Sequence, residues 1–250
     1  MSYRPAMPSR PMSSPMSLTV VVPCFDEETR IGATLQVLCE TLGQDLTLQW
    51  EVLVVDDQST DATAAVVREV ASREPRVRLV ATSGRKGKGA AVREGALAAT
   101  GDAVLVTDAD LAGDLAVLPA MMRALDDADA VLGSRLLPGA VTEPARPLPR
   151  RCAAFVFRAA VRLVTPLRVS DPQCGCKLFR RQMLQHHIEL LRTDGYAYEV
   201  ELLIRLQAAG ATLTELPIRW REGRGSKVRV VRDGAQMLRD LLSATRQAKA

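Results

Sequence analysis

What most limits the folds open to this chain is a change of pattern that repeats from Leu18 onward. Short runs of β-branched and leucine residues alternate with longer amphipathic stretches. A run that is apolar on both sides of the pleat needs cover on both faces, and a helix-length segment between successive runs supplies it. The pattern therefore predicts strands joined by crossover helices in a largely parallel sheet. Strands are expected at 18–22, 51–55, 77–81, 103–107 and 130–132, with helices over 28–41, 62–72, 89–99 and 115–125. The fold class is α/β, a doubly wound sheet, and the length allows one large or two small domains.

Outside that core the readings are looser. Residues 1–17 place Pro5, Pro8, Pro11 and Pro15 among Ser and Met without periodicity, and are expected to be a disordered leader to a domain over 18–250. Beyond 134 the alternation becomes irregular. Four prolines and a glycine in 136–150 predict a mobile loop; helices are expected at 151–164, 181–191 and 200–209, a turn around Ser170-Asp171-Pro172, and a strand at 212–220. A Gly-rich basic loop at 223–227 and a helix at 233–246 complete the chain. No apolar run approaches the ~20 residues needed to span a bilayer, and the N-terminus lacks the apolar stretch of a signal peptide, so a cytoplasmic location is expected. The five cysteines are odd in number and scattered, which argues for reduced thiols. Cys174 and Cys176 with His186 and His187 fit no structural zinc spacing and read as buried thiols beside a surface histidine pair.

Charge divides the chain. The formal total is +4, yet residues 1–134 carry 12 basic and 19 acidic side chains, net −7, and 135–250 carry 21 and 10, net +11. In doubly wound sheets ligands bind outside the carboxyl ends of the strands, and there the acids gather. Asp26-Glu27-Glu28 follows the first strand, Asp56-Asp57 the second, and Asp108-Ala109-Asp110 the fourth. The last pair can hold a hard divalent cation through oxygen, or simply enrich a helix N-terminus in Asp. Ser59, Thr60 or Asp61 can cap the next helix, whereas Asp56 and Asp57 are free to bind base or ribose hydroxyls. The loop Gly84-Arg85-Lys86-Gly87-Lys88-Gly89 satisfies neither the dinucleotide nor the P-loop pattern, which disfavours a dinucleotide oxidoreductase. It suits an anion at a helix N-terminus, or is a solvated turn.

Together these residues resemble a known family. Pro23-Cys24-Phe25-Asp26-Glu27-Glu28, Val54 to Asp61, Asp108-Ala109-Asp110-Leu111-Ala112 and Gly133-Ser134-Arg135 are similar to the ordered motifs of family 2 glycosyltransferases with a GT-A fold, a doubly wound mixed sheet. Asp171 to Phe179, Tyr198-Glu199-Val200-Glu201-Leu202 and Trp220 with Gly225-Ser226-Lys227-Val228 resemble dolichyl-phosphate β-glucosyltransferases and, more distantly, dolichyl-phosphate mannose synthases. The resemblance implies a nucleotide-sugar and metal half over 18–134 and an acceptor half over 135–250. It implies that Pro23, Asp26, Glu28, Asp57, Lys88 and Asp108 bind the nucleotide sugar, and that Asp108 and Asp110 hold Mg²⁺ or Mn²⁺. It further implies that Arg135, Arg150, Arg151 and Lys177 meet the acceptor phosphate, and that Asp110, Arg135 and Glu201 are catalytic. Three positions depart from the family: Phe25-Asp26 replaces Tyr-Asn, Gln58 replaces Gly, and Glu199 replaces Asp.

The implied reaction moves a hexose, glucose before mannose, from UDP-glucose or GDP-mannose to polyprenyl or dolichyl phosphate with inversion. The alternative is a family 2 enzyme with a soluble small-molecule or glycan acceptor; a nucleotidyltransferase and a non-catalytic nucleotide-binding module are the other classes. From Arg135 to Arg181 ten basic residues face two acidic ones. The helix there is either a solvated face over core or a peripheral contact with an anionic bilayer. Nucleic acid is disfavoured, since aromatics are 4% and no reading module is present.

Overall fold

A computed structural model describes residues 16–84, 86–144, 148–221, 234 and 236–242. The chain runs β1 (Leu18–Cys24), α1 (Ile31–Gly43), β2 (Trp50–Asp56), α2 (Thr63–Arg73), β3 (Val77–Ala81), α3 (Lys88–Ala98) and β4 (Ala103–Thr107). A 3-10 turn at Leu115–Val117 leads into α4 (Leu118–Ala124) and β5 (Ala130–Ser134). Then come β6 (Val141–Glu143), α5 (Leu148–Val164), β7 (Cys176–Arg180), α6 (Arg181–Ile188), α7 (Tyr198–Ala208), β8 (Leu213–Pro217) and β9 (Arg219–Arg221).

The seven-stranded sheet has the order β3-β2-β1-β4-β7-β5-β8, and β6 pairs with β9 in a small second sheet. β1 pairs in parallel with both β2 and β4, so the chain winds outward from β1 to β3 and then crosses to β1's other side. The direction of winding reverses between β1 and β4, and that point opens a crevice at their carboxyl ends. Buried side chains fill both faces of the sheet, with α1, α2 and α4 covering one and α3, α6 and α7 the other. Continuous apolar runs such as Val20-Val21-Val22 and Val52 to Val55 are the product of that two-sided cover.

The structure corrects several expectations. β7 was absent from the strand pattern and runs antiparallel between β4 and β5. Its apolar run is broken by a charge, Lys177, which is only 3% exposed. The expected strand over 212–220 splits at Ile218. Its first part, β8, edges the main sheet and its second, β9, joins β6; Pro217, which lacks an N–H, closes the first part. The expected mobile loop at 136–150 contains β6, and α5 begins at Leu148, because Pro149 falls in the first helical turn where a missing N–H costs nothing. Of the histidine pair only His186 is exposed; His187 is buried, its Nδ1 2.9 Å from Met183 O.

Residues 1–15 and the basic loop at 223–227 lie outside the described residues. Ser17, read as the end of the leader, is tied to the fold. Its N and Oγ donate to Asp102 Oδ2 at 3.2 and 2.8 Å, and its carbonyl accepts from Ala103 N at 3.0 Å.

Candidate active site

The loops beyond β1, β2 and β4 meet at the crevice, and each carries one residue in the left-handed region: Asp26 (φ 50°), Gln58 (φ 61°) and Leu111 (φ 44°). Non-glycine residues enter that region at a cost of about 1 kcal/mol or more, so each must be held. Gln58 is held by its own amide, which donates to Thr82 O at 2.6 Å. Asp26 Oδ1 accepts from Thr60 N at 2.8 Å, and Asp26 N donates to Ser59 Oγ at 2.9 Å. Glu28 Oε2 accepts from Ala62 N at 2.8 Å. Asp61 Oδ1 accepts from Thr63 N at 2.9 Å, so among the three candidate caps it is the one that meets the start of α2. The first two strand-end loops are thereby clasped together. Pro23 lies in β1 opposite Val55.

Asp57, expected to bind a base or ribose, is 4% exposed and holds the 84–89 loop of its own chain: Oδ1 accepts from Lys86 N at 2.9 Å and Oδ2 from Gly87 N at 2.8 Å. Its carboxylate fixes the entry into α3. Lys88, the first residue of that helix, then points to the end of β4, with Nζ 2.7 Å from Asp108 Oδ1. Burial works against the ammonium, but Asp108, Glu199 and Tyr198 hold its pKa well above the ordinary lysine value.

Asp108 is pressed against the main chain of the 174–176 segment. A Cβ on Gly175 would lie 2.0 Å from Asp108 Oδ2, so only glycine leaves room for the carboxylate. Asp110 Oδ1 accepts from Ala112 N at 3.1 Å. Burial and then the charge of Asp108 raise its pKa. Two carboxylates that repel each other at the edge of a crevice are the donor set a hard divalent cation relieves, and both are oxygen ligands of the type Mg²⁺ and Mn²⁺ take. The residues present fit such an ion.

Behind Asp108 lies a buried ion pair. Lys177 Nζ is 2.8 Å from Glu199 Oε1 and donates as well to Cys174 O. Both side chains are at most 7% exposed, so Lys177 has a partner within the protein and is not presented to an acceptor phosphate. The carboxylate beside Lys88 and Lys177 is Glu199. Glu201, read as catalytic, is elsewhere: its oxygens accept from Thr193 N at 3.0 Å, Arg192 N at 3.3 Å and Arg205 Nη2 at 2.8 Å. The α7 register explains the correction, since residues two apart on a helix point to different sides. Cys174 is buried beside this pair, and burial pushes its thiol up to about 11.

Arg135 is also corrected in part. Its guanidinium fork, expected on a phosphate, is turned to Asp171: Nε and Nη2 meet the two carboxylate oxygens at 2.6 and 2.7 Å, and Nη2 reaches Gln173 O at 3.0 Å. The guanidinium lies 4.8 Å from the Trp220 ring centre. Only Nη1 remains for a ligand among the described residues. Asp171 is 1% exposed; burial would raise its pKa, but Arg135 holds it below the ordinary aspartate value. Replacing Arg135 by Met should therefore cost about 3–5 kcal/mol in urea unfolding, because it strands a buried charge. The pair's stabilisation is present above the unfolded aspartate pKa and is lost as pH falls through Asp171's depressed one. An Arg135→Met protein as stable as the parent would return the residue to a purely ligand-binding role.

Arg151 is exposed at the start of α5, and the side chain of Arg150 lies outside the described residues. α5 has two apolar sides. Phe157 and Val161 enter the core with Leu167 and Val169. Phe155, Val156 and Leu163 are 66%, 59% and 86% exposed. No described helix is long and apolar enough to cross a membrane.

The family model for glycosyl transferase family 2 matches residues 19–188. Over 239 residues the chain is 30% identical to glycosyltransferase AglD of Haloferax volcanii, covering 93% of this chain but only 38% of that protein's length. It is 29% identical to the dolichyl-phosphate β-glucosyltransferase of Saccharomyces cerevisiae (90% of this chain, 73% of that protein) and 30% identical to that of Mus musculus (95% and 77%). Among solved structures it resembles the glucosyl-3-phosphoglycerate synthase of Mycobacterium tuberculosis in complex with Mn²⁺, UDP-glucose and phosphoglyceric acid. The TM-score is 0.69 at 22% identity, over 92% of this chain and 80% of that one, a likeness of fold.

Proposed function

The chain belongs to glycosyl transferase family 2, and from that premise we propose that it moves a hexose, glucose first and mannose next, from a nucleotide-diphosphate sugar to polyprenyl or dolichyl phosphate. The observation that carries the acceptor is coverage. Likeness to dolichyl-phosphate β-glucosyltransferases runs over 90% and 95% of the chain, through the acceptor half as well as the acidic crevice.

An oxygen of the acceptor phosphate forms a bond to the anomeric carbon, the bond from that carbon to the diphosphate breaks on the opposite face, and its electron pair leaves with the nucleoside diphosphate. A phosphate acceptor is ionised near neutral pH, so positioning takes precedence over a general base. Asp108 and Asp110 would hold a divalent cation, which when bound would neutralise charge on the leaving group. Lys88 adds a fixed positive charge on the same side of the crevice, where charge develops in the transition state. Asp57 keeps Lys88 there by holding the loop that leads into α3. The Nη1 edge of Arg135 and the exposed Arg151 meet the acceptor phosphate.

The deciding experiment is a panel of nucleotide sugars with Mg²⁺ or Mn²⁺, with polyprenyl phosphate or a soluble phosphorylated acceptor, reading nucleoside diphosphate release. Release from UDP-glucose that depends on polyprenyl phosphate is expected. Release only with the soluble acceptor would overturn the acceptor, and pyrophosphate as product would overturn the reaction.

The outward side of α5 supports a peripheral membrane contact, since Phe155, Val156 and Leu163 are flanked by the exposed cations Arg151 and Arg162. The double change Phe155→Ser and Leu163→Ser should weaken sedimentation with anionic vesicles at least tenfold, given about 1.5–3 kcal/mol for each large apolar side chain buried. Unchanged sedimentation would remove α5 from the contact.

A further inference from the structure

The N-terminus of α3 is closed by the protein's own main chain. Gly89 N and Ala90 N donate to Asp194 O at 2.8 and 3.3 Å. A Cβ on Gly87 would lie 2.6 Å from Asp194 O, and one on Gly89 2.6 Å from Thr193 O. The 191–195 turn thus rests directly on the helix start and satisfies amides that an anion would otherwise take.

Two charged residues hold that turn from opposite sides. Arg93, in α3, places Nη2 2.6 Å from Asp194 Oδ1 and Nη1 3.1 Å from Leu191 O. Glu201, in α7 and 2% exposed, takes the amides of Arg192 and Thr193. The turn leads straight into the first residues of α7. There Tyr198 sets its ring 5.9 Å from Lys88 Nζ, and Glu199 pairs with Lys177. The turn and the direct approach of Gly89 to Tyr198, whose Cβ would lie 2.7 Å from a Cβ on Gly89, together set the spacing between α3 and α7, and with it the arrangement of Lys88, Glu199 and Asp108.

Resting on the glycosyltransferase reading, we infer that Arg93 and Glu201 are positioning residues: they clamp the 191–195 turn onto the start of α3 and so hold Lys88 and Glu199 around Asp108. Neither touches the crevice; each acts through the turn.

The test is a double-mutant cycle on the full chain, with kcat and KM for the nucleotide sugar measured alongside Mn²⁺-dependent binding of the nucleoside diphosphate by calorimetry. Arg93→Met should lower kcat about tenfold, less than the roughly 10²–10³-fold loss of removing a preorganised group outright, because Lys88 is shifted and not deleted. Arg93→Lys, which restores the charge to Asp194, should recover most of that loss. Because Arg93 acts in large part through Lys88, the Arg93→Met, Lys88→Met double variant should lose clearly less than the product of the two single losses. Losses that multiply in the double variant, or an Arg93→Met enzyme with the parent kcat, would overturn the clamp. If Arg93→Met does not fold, Glu201→Gln with Lys88→Met runs the same cycle under the same criteria. A parent protein that binds the nucleoside diphosphate but turns over no nucleotide sugar would instead overturn the glycosyltransferase reading. The calorimetric cycle then still decides the clamp, by whether the binding losses coincide or multiply.

Discussion

Gly175→Ala should leave the chain folded and lower metal-dependent turnover by about 10²–10³-fold, the loss expected when one preorganised charge is displaced. The added methyl carbon would sit 2.0 Å from Asp108 Oδ2 and 2.7 Å from its Cγ, separations no pair of unbonded atoms tolerates. Gly175 directly precedes β7, a strand paired on both sides, so the Asp108 side chain is what moves. Swinging out, it leaves Lys88 and the cation together. Crowding of this kind costs about 1–3 kcal/mol, small enough for the domain to survive. Circular dichroism and thermal melting should therefore resemble the parent while nucleoside diphosphate release collapses. Turnover within twofold of the parent would show that Asp108 works from a different position.

Mn²⁺ is expected to raise the melting temperature of the parent, and Asp110→Asn should abolish both that rise and metal-dependent turnover. Its effect on the metal-free protein runs the other way. Burial and Asp108 raise the Asp110 pKa, so the folded state binds more protons than the unfolded one, and stability falls as pH climbs from the unfolded to the folded pKa. At neutral pH asparagine removes that penalty, and the metal-free variant should melt no lower than the parent. A protein that pays stability for a function shows this opposition. If Asp110→Asn keeps its turnover and its Mn²⁺-induced shift, Asp110 is not a ligand.

The missed and misassigned residues have a common cause. Glu199 and Glu201 stand in one motif, and which of them faces the crevice depends on what their helix packs against. Lys177 and Arg135 read as free cations because their partners are distant in the chain: Glu199 lies 22 residues from Lys177, and Asp171 lies 36 from Arg135. Arg93 stood in no motif, and its partner Asp194 is 101 residues away. The glycine between Cys174 and Cys176 was visible in the motif, but nothing local shows that a carboxylate from β4 fills the space beside it.

What the sequence determined by itself is everything that follows from near neighbours: the strand and helix alternation, the winding class, and the acids that gather after β1, β2 and β4. Periodicity and loop chemistry act over a few residues, and the rule that ligands bind at strand carboxyl ends carries them to a crevice. What only the tertiary structure decided is which charges face that crevice and which are spent on one another. That choice is made by burial: a charge withdrawn from water must find a partner, and the sheet order, with β7 set antiparallel between β4 and β5, brings Lys177 to Glu199 and Gly175 to Asp108.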